Sequence, residues 1–186
     1  MLLFSITVAA LAWPSLVALA TPLPETTSAA PAPSAAPSVA TVPAAVIPAV
    51  EKIEIPVLGI SAPLHLNVSA ERMEEVLPTG AAVLDSSPLP GQAGNFFVVG
   101  HSSDYPWKKD PYATLFARLP RLAVGSEIDV FHGGQEFRYR VTGKKVVAAT
   151  DLSVEDQTAA PTLTLLTCYP IGTTFSRYIV TAELIK

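Results

Sequence analysis

Three residues in this chain have the types and settings to do chemistry together. Cys168 is the only cysteine, and it closes the apolar run Thr164-Leu165-Leu166-Thr167, led in by Thr162 and Leu163. Tyr169-Pro170 and Gly172 end that run, so the pattern describes a buried strand that delivers a thiol to its tip. Arg177 stands nine residues further on, at the head of a second strand-like run, Tyr178-Ile179-Val180-Thr181-Ala182. Far upstream, Val98-Val99-Gly100-His101 is an apolar run that ends on a histidine. An ordinary thiol is mostly protonated at neutral pH, so it attacks a carbonyl only with help. An imidazole gives that help by taking the proton, or by standing as a cation beside the thiolate and later protonating a leaving amine. Attack also creates an oxyanion, and a guanidinium offers it a permanent charge with a fork of N–H groups.

The other two histidines compete less well. His65 sits in an alternating segment and His132 borders Gly133-Gly134, so both read as structural or exposed. A metal centre built from three His and one Cys has no CxxC, HxH or HExxH spacing behind it. A net charge of −4 provides no basic stripe, which excludes nucleic acid as an expected partner. With one cysteine no intramolecular disulfide forms, and the fold rests on its core.

The elements that must position these residues begin near Glu51. Ile53-Glu54-Ile55, residues 58–62 and Leu64 to Val68 alternate and predict two early strands. Ser69 to Leu77 predicts a short helix with Ser69 as N-cap, stopped by Pro78-Thr79-Gly80. Residues 81–84, 95–100 and 127–132 predict further strands, and Ser102 to Pro111 a surface loop. Gln135 to Val141 and Lys144 to Ala149 predict a hairpin turning at Thr142-Gly143. Two strands bearing Cys168 and Arg177 complete an all-β chain of about eight short strands, which points to a closed barrel.

The preceding residues have a different character. Leu2 to Ala20 is apolar and uncharged, marginally long enough to cross a bilayer, which takes about twenty residues. Ala18-Leu19-Ala20 also offers a small-x-small cleavage pattern, so residues 1–20 are expected to be a signal anchor or a signal peptide. Residues 21–50, rich in Pro, Ala and Thr, cannot build a core and are expected to be an extended tether; residues 51–186 form the catalytic domain.

TLLTC at 164–168, Arg177 on the following strand and His101 after an earlier core strand together resemble the signature of the sortases, cysteine transpeptidases of bacterial cell surfaces. The resemblance spans roughly the last two-thirds of the chain. Cys168-Tyr169-Pro170 and the long stretch after His101 look more like classes C to F than class A. It implies an eight-stranded barrel with short connecting helices, and catalysis by Cys168, His101 and Arg177. It also implies a Cys168 thioester formed on an LPxTG-like sorting signal and resolved by an amine from cell-wall peptide or a pilin lysine. Surface proteins bearing a C-terminal sorting signal would be the partners, the N-terminal segment would meet the membrane, and the enzyme would work outside the cytoplasm. Thr167, Ser102 and Tyr169 flank the reactive pair and are expected to bind substrate. Ser103, Asp104, Tyr105 and Trp107 are further groove candidates. No cofactor is expected; Ca²⁺ would have Glu71, Glu74, Glu75, Asp151, Glu155 and Asp156 to draw on. Leu23-Pro24-Glu25-Thr26-Thr27 in the tether resembles LPxTG, with Thr in place of the final Gly. Two alternatives stay open: a cysteine peptidase on the same residues, and a non-catalytic surface barrel that binds a partner.

Overall fold

The computed structural model describes residues 50–104, 107 and 109–186. Leu2 to Ala20, the tether up to residue 49 with its Leu23–Thr27 motif, and Tyr105 lie outside the described residues. The strands are β1 (Lys52–Ile55), β2 (Ile60–Val68), β3 (Ala81–Leu84), β4 (Gly94–Val99), β5 (Glu127–His132), β6 (Gln135–Ala148), β7 (Pro161–Tyr169) and β8 (Ser176–Leu184). They close into a barrel in the order β1-β2-β3-β4-β7-β8-β6-β5. This is the all-β, eight-stranded barrel that the alternating segments and the resemblance both implied. Its helical elements are short, with α1 covering only Met73–Val76 between two 3-10 turns.

Alternation along the strands fills the interior. Phe96 and Val98 of β4, Leu163 and Leu165 of β7, and Val180 and Ala182 of β8 are each at most 1% exposed and belong to one core cluster. Fully burying a side chain the size of Val, Leu or Phe stabilises the fold by roughly 1.5–3 kcal/mol. The opposite faces of β4, β7 and β8 are also apolar. Phe97, Ile179 and Val154 form an outer cluster, with Leu84, Val99, Val147 and Leu166 packed against it. Val154 comes from the 3-10 turn Leu152–Glu155 in the β6–β7 connection. Asn95 Nδ2 pins this turn to β4 by donating to the Val154 carbonyl at 2.9 Å and the Asp156 carbonyl at 3.2 Å. Covered on both sides, β4 and β7 read as continuous apolar runs, as strands of parallel pairing usually do.

Three expectations need correction. Residues 135–148 form one strand of 14 residues rather than a hairpin. Residues 135–140 pair with β5 and residues 139–148 with β8, and the β8 register shifts between Val141 and Gly143. Gly143 therefore serves close packing, not reversal: a Cβ there would stand 2.8 Å from Thr181 Oγ1. Second, the early alternation breaks at Pro56–Leu58, a 3-10 turn closed by Gly59 at φ 62°, so residue 58 belongs to the turn between β1 and β2. Third, Ser69 holds the N-cap position without making a side-chain cap bond. Its hydroxyl instead bonds the Glu71 carboxylate, which it holds below the usual carboxylate range.

On the far side of the barrel from β4 and β7, β5 and β6 carry an ion-pair network. Arg138 reaches Asp129 at 2.7 Å and Glu136 at 2.6 Å, and Lys186 reaches Glu136 at 3.0 Å. Lys186, with Arg138 beside it, holds the Glu136 carboxyl below its ordinary range against the opposing effect of burial. A carboxyl with a lowered folded-state pKa contributes stability above the unfolded value of about 4.3, and that contribution is lost as pH falls through the folded-state pKa. Urea midpoints measured from pH 7 down to pH 3 should therefore fall less steeply below about pH 4.3 in Glu136→Gln than in the unaltered protein. Parallel curves would show that this network adds nothing to acid stability.

Candidate active site

Register across three adjacent strands assembles the site. β4 and β7 run parallel, in register from Gly94 opposite Pro161 to Val99 opposite Leu166. Gly100 N–H donates the next ladder bond to the Leu166 carbonyl at 3.1 Å. Two residues beyond Val99 and Leu166 on their respective chains stand His101 and Cys168, at the same end of the barrel. On the other edge of β7, antiparallel β8 places Arg177 directly opposite Cys168, and Ile179 opposite Leu166. Directly opposed residues of an antiparallel pair share a face, so Cys168 and Arg177 lie on the outer face with Leu166 and Ile179. Val99, two residues before His101, packs on that face too.

His101 and Arg177 are each held locally. Phe116 N–H donates to the His101 carbonyl at 2.8 Å. The Phe116 ring lies so close to Gly100 that a Cβ there would stand 2.5 Å from it, which explains a glycine immediately before the histidine. Arg177 Nη1 donates to the carbonyls of Thr174 at 3.1 Å and Ser176 at 3.2 Å. These bonds fix one end of the guanidinium and leave its other donors for a substrate oxygen. Cys168, His101 and Arg177 are all partly exposed, as a site open to substrate requires.

The flanking candidates fall elsewhere. Ser102 is 1% exposed and turned into the protein. Thr167 is 2% exposed and lies on the inner face, where its Oγ1 donates to the Gly100 carbonyl at 2.7 Å. Tyr169, on the same side of the strand as Thr167, sets its ring 5.5 Å from that of Tyr178. Strand alternation separates both residues from the face of the thiol. Ser103, in contrast, faces the other loop, and its Oγ accepts from Gly172 N–H at 3.0 Å. Trp107, Ile171 and Phe175 expose large apolar surfaces on the two loops that follow His101 and Cys168, at 75%, 57% and 79%.

The remaining histidines have structural partners. His65 Nε2 meets Thr79 Oγ1 at 3.0 Å, and His132 Nδ1 meets Glu51 Oε2 at 2.7 Å. Among the described residues no three His, Cys, Asp or Glu side chains stand where they would hold a metal ion. Asp151 is engaged by Ser153 and Glu75 by Arg72. No helix of the described residues is long and apolar enough to cross a membrane.

A sortase-domain family model matches residues 53–185, and the chain belongs to the sortase family. It is similar to sortase A of Bacillus anthracis, 29% identical over 134 residues, which cover 72% of this chain and 59% of that protein. Sortase D of Bacillus subtilis strain 168 is 26% identical, with 69% of this chain and 60% of the relative covered. The match thus spans about three-fifths of the length of these curated relatives. Among solved structures, a Clostridium perfringens sortase D5 transpeptidase superposes with a TM-score of 0.61 at 26% identity, covering 74% of this chain and 79% of that one. Names from classes A and D stand side by side here, so the assignment is to the family and not to a class.

The Gly100–Phe116 contact yields a test of how the histidine strand is held. Gly100→Ala should cost about 1–3 kcal/mol in denaturant unfolding, because the added methyl meets the ring. A double-mutant cycle with Phe116→Leu should return a coupling energy of about 1 kcal/mol or more. Strictly additive effects would place the cost of the methyl elsewhere.

Proposed function

We propose that this chain is a cell-surface cysteine transpeptidase that cuts an LPxTG-like sorting signal and joins its acyl part to an amine. The observation that carries the reading is that Cys168 stands directly opposite Arg177 on β8, while the parallel neighbour β4 ends two residues before His101 at the same end of the barrel. Membership of the sortase family supports it.

In this reading a minor population pairs a Cys168 thiolate with a His101 imidazolium. Sγ attacks the carbonyl of the scissile peptide bond, and Arg177 donates to the oxyanion that forms. The C–N bond breaks as His101 gives its proton to the leaving amine, and the acyl group remains on Cys168 as a thioester. An incoming amine attacks that thioester, returns a proton to His101 and leaves with a new amide bond, so the thiolate is regenerated. Water in place of the amine gives hydrolysis. The half-buried apolar side chains of Val99 and Leu166, next to the thiol on the same face, suit the floor of a peptide groove. Substrates would be surface proteins with a C-terminal sorting signal, acceptors cell-wall peptide or a pilin lysine, and the setting extracytoplasmic with residues 1–20 at the membrane.

Incubating the chain with LPxTG-like peptides and amine acceptors, followed by mass spectrometry, tests this directly. A thioester adduct on Cys168 and an amine-linked product are expected, both absent in Cys168→Ala. Arg177→Ala should lower kcat roughly 10²-fold through loss of an oxyanion donor, and Arg177→Lys should recover only part of it, since an ammonium lacks the fork. Hydrolysed product alone, with every acceptor tried, would make the chain a peptidase. An unreactive Cys168 with no adduct would leave a binding barrel.

A further inference from the structure

The β4–β7 ladder stops one residue short of the reactive pair. In a continued parallel ladder the Gly100 carbonyl would accept from Cys168 N–H. It accepts instead from the Thr167 hydroxyl at 2.7 Å, deep in the protein. Beyond that point the chain after β4 leaves the sheet; Phe116 N–H still holds the His101 carbonyl, and side-chain bonds rather than ladder pairing tie this segment to β7 and the loop that follows it. A second such bond lies on the far side of the histidine, where Ser103 Oγ accepts from Gly172 N–H at 3.0 Å. Thr167 therefore acts on the residue before His101 and Ser103 on the loop two residues after it. The same two bonds bracket Cys168, one at the preceding residue and one four residues beyond, in the turn that Thr173 N–H closes on the Pro170 carbonyl at 3.0 Å. The His101 ring itself has no hydrogen-bond partner among the described residues, so its place depends on how its backbone is tied down.

We propose that Thr167 and Ser103 are positioning residues, which hold His101 and Cys168 at working separation through the backbones of Gly100 and Gly172. The inference rests on the reading of Cys168 and His101 as the reacting pair. Thr167, expected from its place beside the thiol to touch substrate, acts through its neighbour instead. Its hydroxyl supplies the only donor seen on the Gly100 carbonyl among the described residues, whereas its methyl contributes packing alone. Those two contributions can be separated, because valine keeps the shape and serine keeps the hydroxyl.

The experiment compares Thr167→Val, Thr167→Ser, Ser103→Ala and Cys168→Ala on one LPxTG-like peptide with an amine acceptor, recording kcat, KM, the pH–rate profile and the melting curve of each. Thr167→Val should lower kcat about tenfold or more, the equivalent of one buried hydrogen bond, with KM changed less than about twofold. Its pH–rate profile should change, because the profile reports the reacting groups. Thr167→Ser should recover most of kcat and the original profile. Ser103→Ala, on an exposed loop, should show a smaller loss of about threefold, again in kcat. Wild-type kcat in Thr167→Val beside an inactive Cys168→Ala would overturn this inference alone. Equal impairment of Thr167→Val and Thr167→Ser would overturn it too, by assigning the effect to packing. If Thr167→Val does not fold, Ser103→Ala and Thr167→Ser decide: unchanged kcat and profile in Ser103→Ala with impairment in Thr167→Ser would overturn it. Product formation by Cys168→Ala would sink the functional reading itself, and this inference with it.

Discussion

Parallel pairing of β4 with β7 is the constraint on which the rest of the site depends. Two parallel strands finish at the same end of a barrel, so Cys168 near the end of β7 and His101 just past the end of β4 are carried to that end together. Antiparallel β8 then starts where β7 stops, which brings Arg177 to the same end. A shift of one residue in the β4–β7 register would carry His101 to the wrong level. It would also turn Phe96 and Val98 away from the core they fill. Burial of those side chains and placement of the histidine are thus one requirement, enforced by the full strength of the hydrophobic core.

One ion-pair network of the described residues lies away from that end of the barrel. The network of Arg138 with Asp129, Glu136 and Lys186 sits on β5, the start of β6 and the chain's last residue. The faces around Cys168 are lined instead by Val99, Leu166 and Val147, with Phe97 and Ile179 beneath them. An apolar surround of this kind strengthens the polar contacts made within it.

The sequence was most readable where a candidate residue borders an apolar run. Cys168 and His101 follow such runs and Arg177 precedes one, which located all three near strand ends. Reading failed where a residue's meaning depended on a partner far along the chain. Gly143 sits between two alternating halves and looks like a turn, but its role is set by Thr181 across the sheet. The sequence places Ser102 and Tyr169 next to His101 and Cys168 but does not show that Ser102 is buried or that Tyr169 packs its ring against Tyr178. Ser103 became meaningful only once the loop containing Gly172 was placed beside it. Gly100 carried a signal that was readable in principle, since a glycine before a strand-end histidine asks what packs there; the answer, Phe116, needed the fold.

The place of β8 in the sheet bears on how this chain reaches its working form. Ser176–Leu184 is the strand latest in sequence, yet it lies between β7 and β6 and pairs with both along most of its length. A chain emerging N-terminus first therefore has its thiol strand and histidine strand made before the sheet can close. Until the final strand enters, β6 and β7 both present open edges, and the cysteine stands without its arginine. Closure is a long-range event that comes late, as is usual for folds dominated by non-local pairing. Completion of the barrel and the arrival of Arg177 opposite Cys168 are consequently a single step, so a chain that lacks β8 has the cysteine strand without the arginine beside it.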